Sequence, residues 1–151
     1  RAMHDVDKLV QNSIAQGAKV AAGGAAHAMG GSFYQPTVLT DVSSEMDVFR
    51  NEIFGPVSPV VRFSTEDEVI AMANDTEFGL AAYFYARDVG RIWRVAEALE
   101  YGIVGVNAGI ISNEVAPFGG IKESGIGREG SKYGIDDFVE LKYVRLGGIG
   151  R

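Results

Sequence analysis

The sequence predicts an α/β protein built around a mostly parallel βαβαβ sheet, with an edge strand near its C-terminus. Two observations carry that reading. Between Val57 and Val106, three short runs rich in β-branched and aromatic residues alternate with two stretches of helical periodicity, each opened by a capping signal. Such alternation favours parallel pairing through right-handed crossovers. Residues 138–146 then alternate, with Val139, Leu141 and Tyr143 on one face and Glu140 and Lys142 on the other.

The elements follow in order. Met3, Val6, Val10 and Ile14 share one helical face, and Gly17 is placed to end that helix in the left-handed conformation. Residues 19–22 read as a short strand. Gly23, Gly24, Gly30 and Gly31 bracket a flexible loop, and residues 34–42 look extended, with Pro36 favouring an edge or a strand start. Val57, Val60, Val61 and Phe63 form the first strand of the alternating region. Thr65-Glu66-Asp67-Glu68 is a capping box, in which hydroxyl and carboxylate satisfy free amide groups reciprocally, and its helix should run to about Ala73. Asn74, Asp75 and Gly79 mark a turn, and residues 80–86 read as a buried strand. Asp88 caps a helix that carries Val89, Ile92, Ala96 and Leu99 on one face, Gly102 ends it, and residues 103–106 are the third strand. A loop of about twenty residues without clear period follows, a length more often functional than idle. Residues 128–137 read as a glycine-interrupted helix. The final alternating run, from Phe138 to Leu146, has an apolar face to cover and an edge to pair, and another subunit can supply the partner sheet.

Composition narrows the function classes. The chain has 151 residues, 46% hydrophobic and 23% charged, the balance of an ordinary soluble globular domain. A formal net charge of -6 argues against nucleic acid as a partner. No apolar run approaches the ~20 residues of a membrane-spanning helix, and no signal peptide is visible. With no cysteine there is no disulfide framework and no thiolate metal site, and His4 and His27 stand too far apart for a zinc cluster. The expectation is a cytoplasmic, metal-free domain. The start at Arg1, entering almost at once on a helical face, reads as a truncation or cleavage point.

Several candidate sites have plainer readings. Gly125-Ile126-Gly127-Arg128-Glu129-Gly130 matches G-x-G-x-x-G, yet the polar Lys122-Glu123-Ser124 precedes it where a dinucleotide fold needs a strand. These glycines are better read as turn formers. Ser112 and Ser124 lie outside any G-x-S-x-G elbow, and neither histidine completes a triad. The acids Asp136-Asp137 and Glu66/Glu68 fit helix ends. Glu52, before Ile53-Phe54-Gly55-Pro56, is presented from a bend, and a carboxylate can accept from both hydroxyls of a ribose. An exposed turn acid is the alternative, since Glu is mostly a surface residue.

Asn51-Glu52-Ile53-Phe54-Gly55-Pro56-Val57 resembles the E-E-I-F-G-P-V motif of the aldehyde dehydrogenase superfamily, and Pro117-Phe118-Gly119-Gly120-Ile121-Lys122-Glu123-Ser124-Gly125 resembles its P-F-G-G-x-K-x-S-G motif. Asn74-Asp75-Thr76-Glu77-Phe78-Gly79-Leu80 and Gly105-Val106-Asn107 fit between them, so the likeness spans essentially the whole chain. Residues 109–117 and 127–135 are most similar to the succinate-semialdehyde dehydrogenases. The first residue of the earlier motif departs from the pattern, with Asn51 in place of a glutamate.

The resemblance implies a cysteine nucleophile, a thioester route and NAD or NADP as hydride acceptor. It assigns Glu52 to the nicotinamide ribose and Phe54 to the nicotinamide ring. It also assigns Phe118 to the aldehyde channel and Ser112 to the distal carboxylate of a semialdehyde, with an arginine expected from upstream sequence. A chain without cysteine is then a C-terminal piece, inactive alone and carrying no catalytic nucleophile or base. Residues 1–137 would be the later part of the catalytic domain and 138–151 the strand and tail that make a dimer or tetramer, with the nucleotide-binding domain absent. Glutarate semialdehyde or another acid-bearing aldehyde is the alternative substrate. A non-catalytic oligomerisation module is the alternative function.

Overall fold

A computed structural model describes residues 1–150. The chain divides into two compact units, residues 1–72 and 73–151.

In the first unit, helix α1 (Ala2–Ala15) turns Val6, Val10 and Ser13 inward, the face that its apolar spacing marks. It stops where Gly17 takes a φ of +114°, the left-handed conformation that a glycine adopts without a Cβ clash. Strands β1 (Lys19–Ala22), β2 (Thr37–Thr40) and β3 (Val57–Pro59) form a mixed sheet in that order, β1 antiparallel and β3 parallel to β2. The short α2 (Asp47–Arg50) lies between β2 and β3 in sequence. Val6, Val10, Leu39, Val42, Met46 and Val48 close a core with Tyr34 at its edge. Two buried hydroxyls serve backbone groups there. Ser13 Oγ accepts from Val48 N at 3.2 Å, while Thr37 Oγ1 accepts from Gly24 N and donates to Gln35 O, each at 2.8 Å.

Helix α3 (Glu66–Asn74) runs through the division point and begins with the expected capping box. Glu68 N donates to Thr65 Oγ1 at 3.1 Å, and Glu68 Oε2 accepts from Ser64 N at 2.6 Å and Thr65 N at 3.4 Å.

The second unit contains β4 (Phe78–Gly79), β5 (Ala81–Phe84), α4 (Val89–Ala98), β6 (Ile103–Val106) and β7 (Ile121–Lys122). Asp88 caps α4 through a 2.6 Å bond from Arg91 N. Strands β5 and β6 pair in parallel across α4, and β4 pairs antiparallel with β7. Among the described residues of this unit, Val95 is the one buried apolar side chain. Tyr83, Tyr85, Trp93, Ile110 and Val115 all stand exposed.

Three expectations need correction. The five-element βαβαβ sheet reduces to one crossover pair, β5–α4–β6, because β3 takes β2 as its parallel partner. Alternation along the chain sets the type of element, not the order of neighbours. The helix expected over residues 128–137 is a series of turns closed by a 3₁₀ turn at Asp136–Phe138, since Gly130 and Ser131 have φ near +64° and +53°, outside the helical range. The strand expected over residues 138–146 has no ladder partner among the described residues and is not a strand in the single chain. An isolated alternating run cannot satisfy its own backbone donors and acceptors.

Candidate functional site

The sequence-predicted site residues fall at two places, one in each unit. Glu52 and Phe54 share a sharp bend after α2. Asn51 ends that helix by folding back on it: its backbone N and its side-chain Nδ2 both donate to Asp47 O at 3.0 Å. Two successive tight turns follow, Gly55 N to Ile53 O and Val57 N to Gly55 O, each 2.9 Å, and Pro56 O anchors the bend to β2 by accepting from Thr37 N at 2.8 Å. Ile53 packs against the core. Gly55 presses on α1, where a Cβ would come within 2.6 Å of Val6 Cγ2, so the bend tolerates no side chain at that point. The result is a fixed backbone that presents Glu52 to solvent and leaves Phe54 82% exposed. Among the described residues, the Glu52 carboxylate has no ion-pair or hydrogen-bond partner.

In the second unit, Ser112 and Phe118 line one hollow of about 470 Å³ together with Asn113, Glu114, Ala116, Glu129 and Gly130. Ser112 follows Ile111, whose Cγ2 lies over β6 at Gly105, where a Cβ would come within 2.8 Å of it. Asn113 then organises a turn: Val115 N donates to its Oδ1 at 3.0 Å and Ala116 N to its carbonyl at 3.1 Å. Ser131 N donates to Glu114 O at 2.9 Å and joins this turn to the later loop.

Phe118 is held by an isolated antiparallel bridge to Glu129, with bonds of 2.9 Å and 2.6 Å in the two directions. Arg128 knots the loop from inside. Its Nη1 donates to Gly120 O at 2.8 Å and Gly127 O at 2.6 Å, while its backbone N donates to Asp137 Oδ2 at 3.0 Å. Ser124 Oγ accepts from Gly79 N at 2.9 Å, a structural task that suits the absence of a nucleophile motif around it. Gly125 and Gly127 have φ of +132° and +87°, and no helix follows them, as the turn-former reading of these glycines requires.

The ionisable groups lining the hollow are the two acids Glu114 and Glu129. An anionic substrate group beside the Ser112 hydroxyl therefore needs a cation from outside these residues. No group of three or more metal-ligating side chains occurs among the described residues, and no helix there is long and apolar enough to cross a membrane.

Sequence reasoning missed three residues that shape the second place. Arg128, within the G-x-G-x-x-G match, is a loop clamp. Asn107, at a φ of +53°, accepts from Ala86 N at 2.9 Å and donates to Ala86 O at 2.7 Å, fastening the end of β6 to the end of β5. Lys122 is the third. A signal was available for Asn107, since asparagine is among the few residues that enter the left-handed region readily. For Lys122 the P-F-G-G-x-K-x-S-G likeness marks the position but not its task.

The sequence pattern of the Aldehyde dehydrogenase family matches residues 1–144. The chain belongs to the aldehyde dehydrogenase family. It is 61% identical over 149 residues to a glutarate-semialdehyde dehydrogenase of Pseudomonas aeruginosa, covering 99% of this chain and 31% of that protein. It is 60% identical over 147 residues to an NADP(+) succinate-semialdehyde dehydrogenase of Escherichia coli (strain K12), covering 97% of this chain and 30% of that protein. The crystal structure of succinate-semialdehyde dehydrogenase from Burkholderia pseudomallei superposes with a TM-score of 0.92 at 59% identity, over 95% of this chain and 30% of that one. The chain thus spans about 30% of the length of the aldehyde dehydrogenases it matches.

Proposed function

We propose that the protein carrying this chain oxidises a carboxylate-bearing semialdehyde, succinate or glutarate semialdehyde, with NAD+ or NADP+. In this reading the chain supplies cofactor, substrate-channel and subunit contacts, while the nucleophilic cysteine and the general base lie outside it. The observation that carries the reading is the shared hollow of Ser112 and Phe118, which puts a hydroxyl donor and an aromatic wall on one cavity. A semialdehyde offers matching chemistry, an acid end for the hydroxyl and a short apolar stem for the ring. The names of the related proteins, one a glutarate- and others succinate-semialdehyde dehydrogenases, support the same substrate class.

Glu52 and Phe54 fit the cofactor role. A solvent-facing carboxylate with no partner among the described residues can accept from both hydroxyls of a ribose, and an exposed ring on a rigid bend can pack on a flat heterocycle. The dinucleotide, when bound, takes up the hydride; the task of these two residues is to bind and orient it. The sparse burial in the second unit supports its being the later part of a larger catalytic domain through residue 137, completed by sequence outside this chain. Residues 138–151 would then serve subunit contact in a cytoplasmic oligomer.

The test is steady-state kinetics of the whole protein on succinate, glutarate and uncharged aldehydes of matched length, with Ser112→Ala beside the wild type. The expected result is a KM increase of about tenfold, confined to the acid-bearing aldehydes, the loss of roughly one hydrogen bond to a charged group. Equal effects on charged and uncharged aldehydes would remove the role of Ser112. No turnover of either semialdehyde by the wild type would remove the substrate class. A lower KM for glutarate than for succinate semialdehyde would select the longer substrate.

A further inference from the structure

Lys122 sits in an unusual state for its residue type. Its φ of +54° lies in the left-handed region, although it is a β7 residue paired with Phe78 of β4. Lysine gains nothing from that conformation, and a glycine or asparagine would enter it at lower cost. The side chain accounts for its presence. Nζ has three donors, and the structure gives each an acceptor: Asn74 O at 2.9 Å, Thr76 O at 3.1 Å and the Glu100 carboxylate at 2.5 Å.

These acceptors belong to one frame. Asn74 reaches the C-terminal end of α4, its Nδ2 donating to Ala98 O at 2.8 Å and its Oδ1 accepting from Glu100 N at 2.9 Å. Tyr101 Oη donates to Ala73 O at 2.6 Å, closing the turn onto the residues that follow α4. Around Lys122, Glu123 N donates to Glu77 O and Gly79 N to Ser124 Oγ, each at 2.9 Å. The stretch from Ile121 to Ser124 is thereby fastened to the turn of residues 74–79, and Phe118 stands earlier on the same loop, bridged to Glu129. The Ser112 turn is tied elsewhere, through Glu114 to Ser131.

We propose that Lys122 is a positioning residue for the substrate channel: its ammonium latches the loop to the 74–79 turn and so sets where Phe118 stands. This rests on the reading of Phe118 as a channel residue. The latch acts on Phe118 and not on the Glu52 bend, so its loss separates aldehyde handling from dinucleotide binding.

The test uses the whole protein with Lys122→Gly, Lys122→Arg and Glu100→Gln. Lys122→Gly keeps the backbone conformation at no steric cost and removes the ammonium. If only backbone geometry mattered, glycine would equal or surpass lysine. With the latch, kcat/KM for the semialdehyde falls about tenfold or more, as misplacement of a channel residue does, while dinucleotide Kd stays unchanged. Amide hydrogen exchange over residues 118–125 speeds up in the same variant, and Lys122→Arg, which restores a cation with several donors, recovers slow exchange at least in part. Wild-type exchange and wild-type kcat/KM in Lys122→Gly would overturn the proposal. If that variant does not fold, Glu100→Gln decides: faster exchange over residues 118–125 supports the latch and unchanged exchange overturns it. Exchange is read without turnover, so a wild type that oxidises no semialdehyde defeats the proposed function and leaves this test standing.

Discussion

Gly102 and Gly119 meet backbone to backbone: a Cβ on Gly102 would overlap the carbonyl oxygen of Gly119 and come within 3.0 Å of the Gly120 Cα. Gly102 N also donates to Gly79 O at 3.0 Å, so the start of β6 is fixed from the other side and cannot retreat. The loop that carries Phe118 therefore lies on a surface that only glycine can provide. Gly102→Ala is expected to lift the loop at a cost of about 1–3 kcal/mol, the range for overpacking a well-fitted contact. The measurement is the denaturant midpoint together with kcat/KM for the semialdehyde, both of which should fall. Gly109→Ala, where a Cβ meets nothing within 4 Å, is the control and should match the wild type.

The parts of this fold that were legible in the sequence are those fixed by residues close together in it. The capping box of Thr65 and Glu68, the cap at Asp88, the inward face of α1 and the glycine stop at Gly17 each depend on partners within a few turns of chain. Strand order is a long-range property, and so β3 was free to choose β2 without any local signal of it. The turns over residues 128–137 depend on Arg128 bonding Gly120 and on Asp137 holding the Arg128 amide, neither of which a periodic pattern encodes. Of the candidate site, the motif residues were legible through family likeness. Lys122 is one of these, but its task was not legible, because two of its acceptors lie more than forty positions away in sequence.

Glu52 is exposed and its carboxylate has no partner among the described residues, so a change confined to its charge should leave stability alone. Glu52→Gln keeps the size and one acceptor oxygen but loses the charge-assisted bonds to a diol. The expected outcome is dinucleotide binding weakened by about tenfold, consistent with 1.5–3 kcal/mol for a hydrogen bond to a charged group, and slower hydride transfer in single turnover. A thermal midpoint within about 1 °C of wild type would accompany it, as for surface substitutions generally. Unchanged dinucleotide titration and unchanged single-turnover rates would dismiss the cofactor role.

Tyr34 provides a test of the first unit by pH. Burial, then the hydrogen bond it donates to Asp7 Oδ1 at 3.1 Å, push its phenol up to about 12. The folded value lies above the ordinary one near 10, so the fold favours the neutral phenol. That contribution is complete below about pH 10 and is lost as pH rises toward 12. Phenolate absorbance should show one tyrosine ionising late, and Tyr34→Phe should remove it. In the variant, the fall in denaturant midpoint between these pH values should be shallower than in the wild type.

Residues 138–150 leave an apolar face with nothing over it. Val139, Leu141 and Tyr143 are 52%, 101% and 86% exposed, and the segment forms no ladder in the single chain. Its alternation gives one apolar side to bury and one edge to pair, which a strand of a second subunit satisfies at once. At about 25 cal/mol per Å² of apolar surface, covering several such side chains yields enough to favour association over exposure. The whole protein is therefore expected to sediment as a dimer or larger species. Leu141→Lys, placing a charge in the centre of the apolar side, should shift it toward monomer, and removal of residues 138–151 should shift it further. The same sedimentation for all three proteins would show that the subunit contact lies elsewhere and that this segment is covered by its own chain.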